Sequence, residues 1–247
     1  MNRDVTRDTL ADGALTILQG RDGFRFGIDA VMLATDLPDF DTDGTVVDLG
    51  AGQGAVGLSV AVSNPRVRVI CVERQPSLLE LLRENIEINQ LEDRVEARRG
   101  DVRNYRDALE PHTADLVVCN PPYYRQGERR PGSSDERAAA RIEMNGTLAD
   151  FVDAAAYVLD QRGRLKIIVP PLRLGDLYAA AADTDLSFET MRYYHARPDE
   201  DAYLVECVLR RGGAPDIRVR PPLYQYGREG SDYGPEVQKR LASLGAT

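Results

Sequence analysis

Apolar positions along the chain recur with two spacings. From residue 45 onward, short β-branched runs alternate with longer stretches in which apolar side chains return every three or four residues. That alternation is the mark of strands and crossover helices building a parallel sheet. The runs predict strands at 45–49 (TVVDL), 67–73, 94–98, 115–119, 164–169, 186–195 and 202–210. The longer stretches predict helices at about 55–63, 76–89, 104–110, 147–160 and 172–184. In PSLLELLRENIEIN a proline opens the first turn, and Leu78, Leu81, Leu82 and Ile86 are expected to form one stripe facing the sheet.

The last two runs, LSFETMRYYHA and AYLVECVLR, follow each other with no helix between them, which predicts an antiparallel hairpin. The expected fold is α/β: a seven-stranded doubly wound sheet, mostly parallel, with that hairpin at its C-terminal end. Ahead of it, ALTILQGRDGFRFG is expected to turn back on itself through Arg21, Asp22 and Gly23, followed by a helix at 28–36. Behind it, residues 212–247 are rich in Gly, Pro and Tyr and are expected to end in a helix from about Pro235. The chain divides into an extension at 1–44, a core at 45–211 and a second extension at 212–247, all within one domain.

A length of 247 residues suits one large α/β domain with a real core. No apolar run approaches the roughly 18 residues a membrane span needs, and MNRDVTRDTLADG lacks the apolar segment of a secretory leader. A cytoplasmic protein with no membrane partner is expected. Cys71, Cys119 and Cys207 each fall in a strand-like run and form no C-x-x-C, so they read as buried hydrophobes rather than disulfide or zinc ligands. With His112 and His195 the only histidines, no metal is expected. The net charge of −9, from 40 acidic and 31 basic residues, has the wrong overall sign for a nucleic-acid protein. The charge is uneven, however: RRGGAPDIRVR (210–220) carries four arginines against one aspartate, so a local basic face stays open.

The candidate chemistry begins at DLGAGQGAVG (48–57), where Gly52, Gly54 and Gly57 complete a G-x-G-x-x-G pattern after the strand that ends near Asp48. A strand, a tight turn through Gly50, Gly52 and Gly54, and a helix N-terminus make an adenosine-cofactor loop, for a dinucleotide or for S-adenosylmethionine. Glu73, at the end of the second strand, can take both ribose hydroxyls in either case. Asp101 closes the third strand, where it either meets an adenine amino edge together with Val102 or caps the helix that follows.

The stretch DLVVCNPPYY (115–124) separates the two cofactors. An apolar strand running into Asn-Pro-Pro-Tyr resembles the class I methyltransferases that modify planar exocyclic or amide nitrogens. That resemblance implies a Rossmann-like fold and S-adenosylmethionine as cofactor, and makes the dinucleotide pattern coincidental. The residue types suit the chemistry. An adenine N6 lone pair is delocalised into the ring; Asn120 Oδ1 and the backbone carbonyl of Pro121 offer two acceptors for its hydrogens, concentrating electron density on the nitrogen. Pro121 and Pro122 stiffen the backbone around that carbonyl, and Tyr123 is expected to offer a flat face for an extruded base. No nucleophile elbow and no Walker loop is present.

Asn-Pro-Pro-Tyr is shared by enzymes acting on DNA adenine, RNA bases and protein glutamine. Further stretches narrow the resemblance: GFRFGIDAVMLA (23–34), NPPYYRQGERR (120–130), ARIEMNGTLADFVDAAAYVL (140–159) and the tail VRPPLYQYGREGSDYGPEV. Together they are similar to the bacterial family that includes the tRNA1(Val) adenine-37 N6-methyltransferase, over essentially the whole chain. The resemblance implies a tRNA adenine beside the anticodon as substrate, and it implies that the segment around Gly27 and Asp29 lies near the methionine end of the cofactor. Arg125, Arg129 and Arg130 follow the tetrapeptide directly and, with the 210–220 arginines, are expected to line one rim for RNA phosphates. A protein glutamine N5-methyltransferase or another RNA base N-methyltransferase is the alternative, and oligomeric state is left open.

Overall fold

The computed structural model describes residues 5–10, 13–20, 27–40, 43–123, 146–214 and 216–244. The chain opens with two strands, β1 (Val5–Leu10) and β2 (Leu15–Gly20), and a seven-residue helix α1 (Ile28–Ala34). There follow β3 (Thr45–Leu49), α2 (Ala55–Ser63), β4 (Arg68–Glu73), α3 (Pro76–Ile88), β5 (Val95–Arg99) and β6 (Ala114–Cys119). The second half holds α4 (Leu148–Val158), β7 (Leu159–Val169), α5 (Leu174–Ala182), β8 (Leu186–His195), β9 (Ala202–Arg211), β10 (Arg218–Val219), β11 (Leu223–Tyr224) and α6 (Pro235–Leu244).

The main sheet has the order β10-β8-β9-β7-β6-β3-β4-β5, with β11 also on β8. Strands β5, β4, β3, β6 and β7 run parallel, while β9 is antiparallel to both β7 and β8. The expected seven strands and terminal hairpin are present, and the tail adds two short parallel pairings along β8. The sheet is covered on both faces. One layer holds α1, α2, α3 and α6 against Val46, Val69, Leu116 and Ile168; the other holds α4 and α5 against Val47, Val117, Leu165 and Ile167. Residues alternating along a strand enter opposite layers, which is why these strands read as continuous apolar runs. Cys71, Cys119 and Cys207 are buried free thiols.

Several expected details differ. On α3 the buried stripe is Leu79, Leu82 and Ile86 with Leu81 and Asn85, while Leu78 is only half-buried. Where a helix at 104–110 was expected, residues Val102–Asp107 form a 3₁₀ segment, broken at Asn104 (φ −127°, ψ 41°). The helix expected at 28–36 ends at Ala34, where Thr35 turns to an extended backbone (φ −114°, ψ 166°) and Asp36 to a left-handed φ of 50°. Strand β2 pairs with the upstream β1, from Val5 opposite Gly20 to Leu10 opposite Leu15; the expected Arg-Asp-Gly turn lies outside the described residues.

The other edge of β2 is satisfied by two asparagines four residues apart, Asn85 on α3 and Asn89 at its C-cap. Asn85 accepts from Leu18 N (2.7 Å) and donates to Leu18 O (3.0 Å), and Asn89 does the same for Thr16 at 2.8 and 2.7 Å. Residues four apart share a helix face, so a carboxamide pair can imitate a neighbouring strand. Asn85 also donates to Gln53 O (2.9 Å), tying this small sheet to the glycine loop.

Candidate active site

In an open α/β sheet, the crevice lies where neighbouring strands carry the chain in opposite directions away from a central strand. Here that strand is β3, flanked by β4 and β6. Leu49 pairs with both Val72 and Cys119, so the glycine loop, the end of β4 and Asn120 leave the sheet at one level. Gly50, Gly52 and Gly54 all have positive φ (72°, 59° and 94°), and Gly54 is the N-cap of α2. Gly57 has a separate reason to be glycine: a Cβ there would collide with Cys71 Sγ and lie 3.1 Å from Asp48 Oδ2, so it permits α2 to close onto the sheet.

Carboxylates brace the loop. Asp48, 2% exposed, accepts from Gly57 N at 2.8 Å; burial raises its pKa to about 7, with the Glu73 charge adding to the rise and the Gly57 bond opposing it. Glu73 accepts from Gly52 N (2.9 Å) and Gln75 N (2.6 Å), and burial pushes its pKa up against those bonds. Asp101 caps the 3₁₀ segment by accepting from Arg103 N at 3.0 Å and pairs with the Arg103 guanidinium, which lowers its pKa; Arg74 lies 3.8 Å away. Of its two expected roles, capping is observed. Val102 beside it is buried in the α4 layer.

Asn120 follows β6 directly. Its Nδ2 faces Asp29 Oδ2 at 3.5 Å, while its buried Oδ1 has no partner among the described residues. A buried acceptor without a donor is costly in a folded protein and marks a place where a donor from elsewhere fits. Pro121 is buried and Pro122 half-buried. Tyr123 is 7% exposed, and its hydroxyl donates to Asp29 Oδ2 at 2.7 Å. The open stacking face expected of Tyr123 is therefore absent among the described residues: Asp29 draws the hydroxyl inward, and the ring packs into the α1 and α2 layer.

Sequence reasoning missed Arg173. This residue is 3% exposed, donates from Nη1 to Tyr123 O (3.4 Å) and from Nε to Asp176 Oδ2 (2.6 Å), and holds the tetrapeptide from the β7 side. Its only sequence signal is its place just past β7, in PPLR. Arg125, Arg129 and Arg130 lie outside the described residues. The 210–220 arginines do not form one rim. Arg211 bonds Asp185 and Leu159 O, at the end of the sheet where β7 starts and opposite Asn120, and Arg220 pairs with Asp36 at 2.8 Å. Among the described residues no group of three His, Cys, Asp or Glu could hold a metal ion, and no helix is long and apolar enough to cross a membrane.

A doubly wound sheet with β9 inserted antiparallel between β7 and β8, and a braced glycine loop at its switch point, has the class I methyltransferase fold. Solved structures share that fold. A predicted O-methyltransferase from Agrobacterium tumefaciens superposes with a TM-score of 0.72 at 23% identity, over 87% of this chain and 96% of that one. The M. jannaschii TYW2 protein in complex with AdoMet does so with a TM-score of 0.55 at 16% identity, over 85% and 88%. Residues 25–173 match the methyltransferase small domain, and the chain belongs to that family. A tRNA1(Val) (adenine(37)-N6)-methyltransferase of Porphyromonas gingivalis is 30% identical over 164 residues, 64% of this chain and 63% of that protein. A protein of the same name from Flavobacterium johnsoniae is 26% identical over 171 residues, 69% and 72% of the two chains. The aligned region thus spans 63% of the length of the first relative.

Proposed function

We propose that the protein methylates the N6 amino group of an adenine in tRNA, beside the anticodon, with S-adenosylmethionine as donor. The observation that carries this reading is the unpartnered, buried Oδ1 of Asn120 at the switch point of the sheet. A carboxamide oxygen held there accepts a hydrogen bond from an amino group, and so suits a nitrogen that must gain electron density as it reacts. The carbonyl of Pro121 is the second acceptor, in a backbone that two prolines stiffen. S-adenosylmethionine supplies an electrophilic methyl group on a sulfonium. The glycine loop with Asp48 would hold it, Glu73 taking the ribose hydroxyls, Asp101 and Val102 the adenine, and Asn120 and the α1 N-terminus the methionine end. The names of the relatives support tRNA as substrate, and a tRNA substrate would place the activity in the cytoplasm. On this reading Arg125, Arg129 and Arg130 meet RNA phosphates.

The test incubates the protein with methyl-labelled cofactor and, separately, total tRNA or a protein extract, then digests the product to nucleosides or amino acids. Label in N6-methyladenosine is expected. Label in glutamine would replace tRNA by a protein substrate, and label in neither would overturn the reading.

A further inference from the structure

We propose that Asp29 is a positioning residue that sets the Asn120 carboxamide with its oxygen turned toward the substrate nitrogen. The proposal rests on the functional reading above and adds to it the device that orients the acceptor.

Asp29 stands in the first turn of α1 and is 6% exposed. Its Oδ1 accepts from Gly27 N and from Ala30 N, both at 3.1 Å. Its Oδ2 faces the Tyr123 hydroxyl at 2.7 Å and Asn120 Nδ2 at 3.5 Å. An ionised carboxylate has about four lone-pair sites and no donor. All four are met by groups of this chain, two at the start of the helix and two in the Asn-Pro-Pro-Tyr stretch. A carboxylate so engaged acts on the reaction through the residues it holds.

The consequence for Asn120 follows from charge. An asparagine amide has a donor end and an acceptor end of nearly equal size, and packing alone hardly distinguishes them. A carboxylate does. With Asp29 on one side, the NH₂ end is attracted and the oxygen repelled, so the amide settles with Nδ2 toward α1 and Oδ1 away from it, where it has no partner among the described residues. A flip would set two oxygens against each other and turn a donor toward the substrate amino group.

The remaining contacts keep Asp29 and the tetrapeptide in register. A Cβ at Gly27 would lie 2.7 Å from Asp29 Oδ1, so glycine leaves room for the carboxylate. Tyr123 is held at both ends, by Asp29 on the hydroxyl and by Arg173 on the carbonyl.

The test is a double-mutant cycle with Asp29→Asn and Asn120→Ala, measured on the full chain with tRNA as kcat, KM and the calorimetric Kd of S-adenosylhomocysteine. Asp29→Asn keeps the shape but lets the amide turn either way. It is expected to lower kcat about 10-fold to 100-fold with KM and Kd changed less than about 3-fold, the range of losing one preorganised group. In the Asn120→Ala background the same change is expected to cost less than about 2-fold, since coupled residues are not additive. Equal losses in both backgrounds would overturn the proposal, as would a loss confined to cofactor Kd. A readout independent of turnover is the side-chain amide NMR signal pair of Asn120, assigned by its loss in Asn120→Ala. Both resonances are expected to shift or broaden in Asp29→Asn and, more mildly, in Tyr123→Phe, which leaves the Asp29 charge in place. An unchanged pair in Asp29→Asn would overturn the positioning role whatever the substrate. A shifted pair with no tRNA methylation by the parent protein would overturn the functional reading instead.

Discussion

Lys166 Nζ lies 3.0 Å from Glu206 Oε2, with 0% and 2% of the two side chains exposed. The ammonium also donates to the carbonyls of Met32 (3.0 Å) and Thr35 (2.5 Å), which close the C-terminal end of α1. Glu206 in turn accepts from the Tyr194 hydroxyl at 2.5 Å, and Arg240 of α6 bonds Asp36 at 2.8 Å. This cluster joins the sheet, α1 and the last helix around two buried cations, Lys166 and Arg240. Removing one member of a buried pair leaves an uncompensated charge and costs about 3–5 kcal/mol. Lys166→Met is expected to lose stability in that range in urea titrations, and to loosen α6 first in hydrogen exchange. A change of less than about 1 kcal/mol would show the pair to be dispensable.

Asp48 predicts a pH dependence of stability. Its folded pKa of about 7 lies above the ordinary 3.8, so between these values the native state holds a proton that the unfolded chain has released. Stability from this group therefore falls as pH rises from about 4 to about 7, and levels off above. Asp48→Asn keeps an oxygen for Gly57 N and removes the titration. Urea midpoints at pH 5 and pH 8 should show the parent losing stability relative to the variant. A constant difference across that range would contradict the prediction.

Asn120→Ala is expected to keep the fold and reduce tRNA methylation about 100-fold or more, since an acceptor at the reacting nitrogen is lost. Near-normal turnover, with circular dichroism unchanged, would remove Asn120 from the mechanism.

Arg129→Ala with Arg130→Ala is expected to weaken tRNA binding and to lower the salt slope of log K by about 2, one unit for each phosphate contact. Fluorescence titrations from low to moderate salt measure it, with cofactor Kd as the control. An unchanged slope would move the RNA clamp elsewhere.

Lys166, Asn120 and Gly57 mark how far the linear chain reaches. Strand runs, the glycine loop and Asn-Pro-Pro-Tyr were legible because their signals are local: period-2 and period-3.6 apolar patterns, and residue types whose backbone or side chain does one thing at one place. The third glycine matched a dinucleotide pattern in the sequence, yet its role is steric, letting α2 meet Cys71 across the layer. The stripe on α3 shifted from Leu78 to Leu79 because the neighbouring surface, not the helix period, decides which of two adjacent leucines is covered. The relations that join the Asn-Pro-Pro-Tyr stretch and the first sheet to the rest of the fold are long-range. Asp29 and Asn120 are 91 residues apart, Arg173 reaches back 50 residues to Tyr123, and Asn85 bonds Leu18 across 67. Each is a polar pairing between groups far apart in the chain, and no local pattern says which group meets which. Local propensity leaves such pairings undetermined, because the energy of a buried hydrogen bond depends on which partner the packed layers bring within reach.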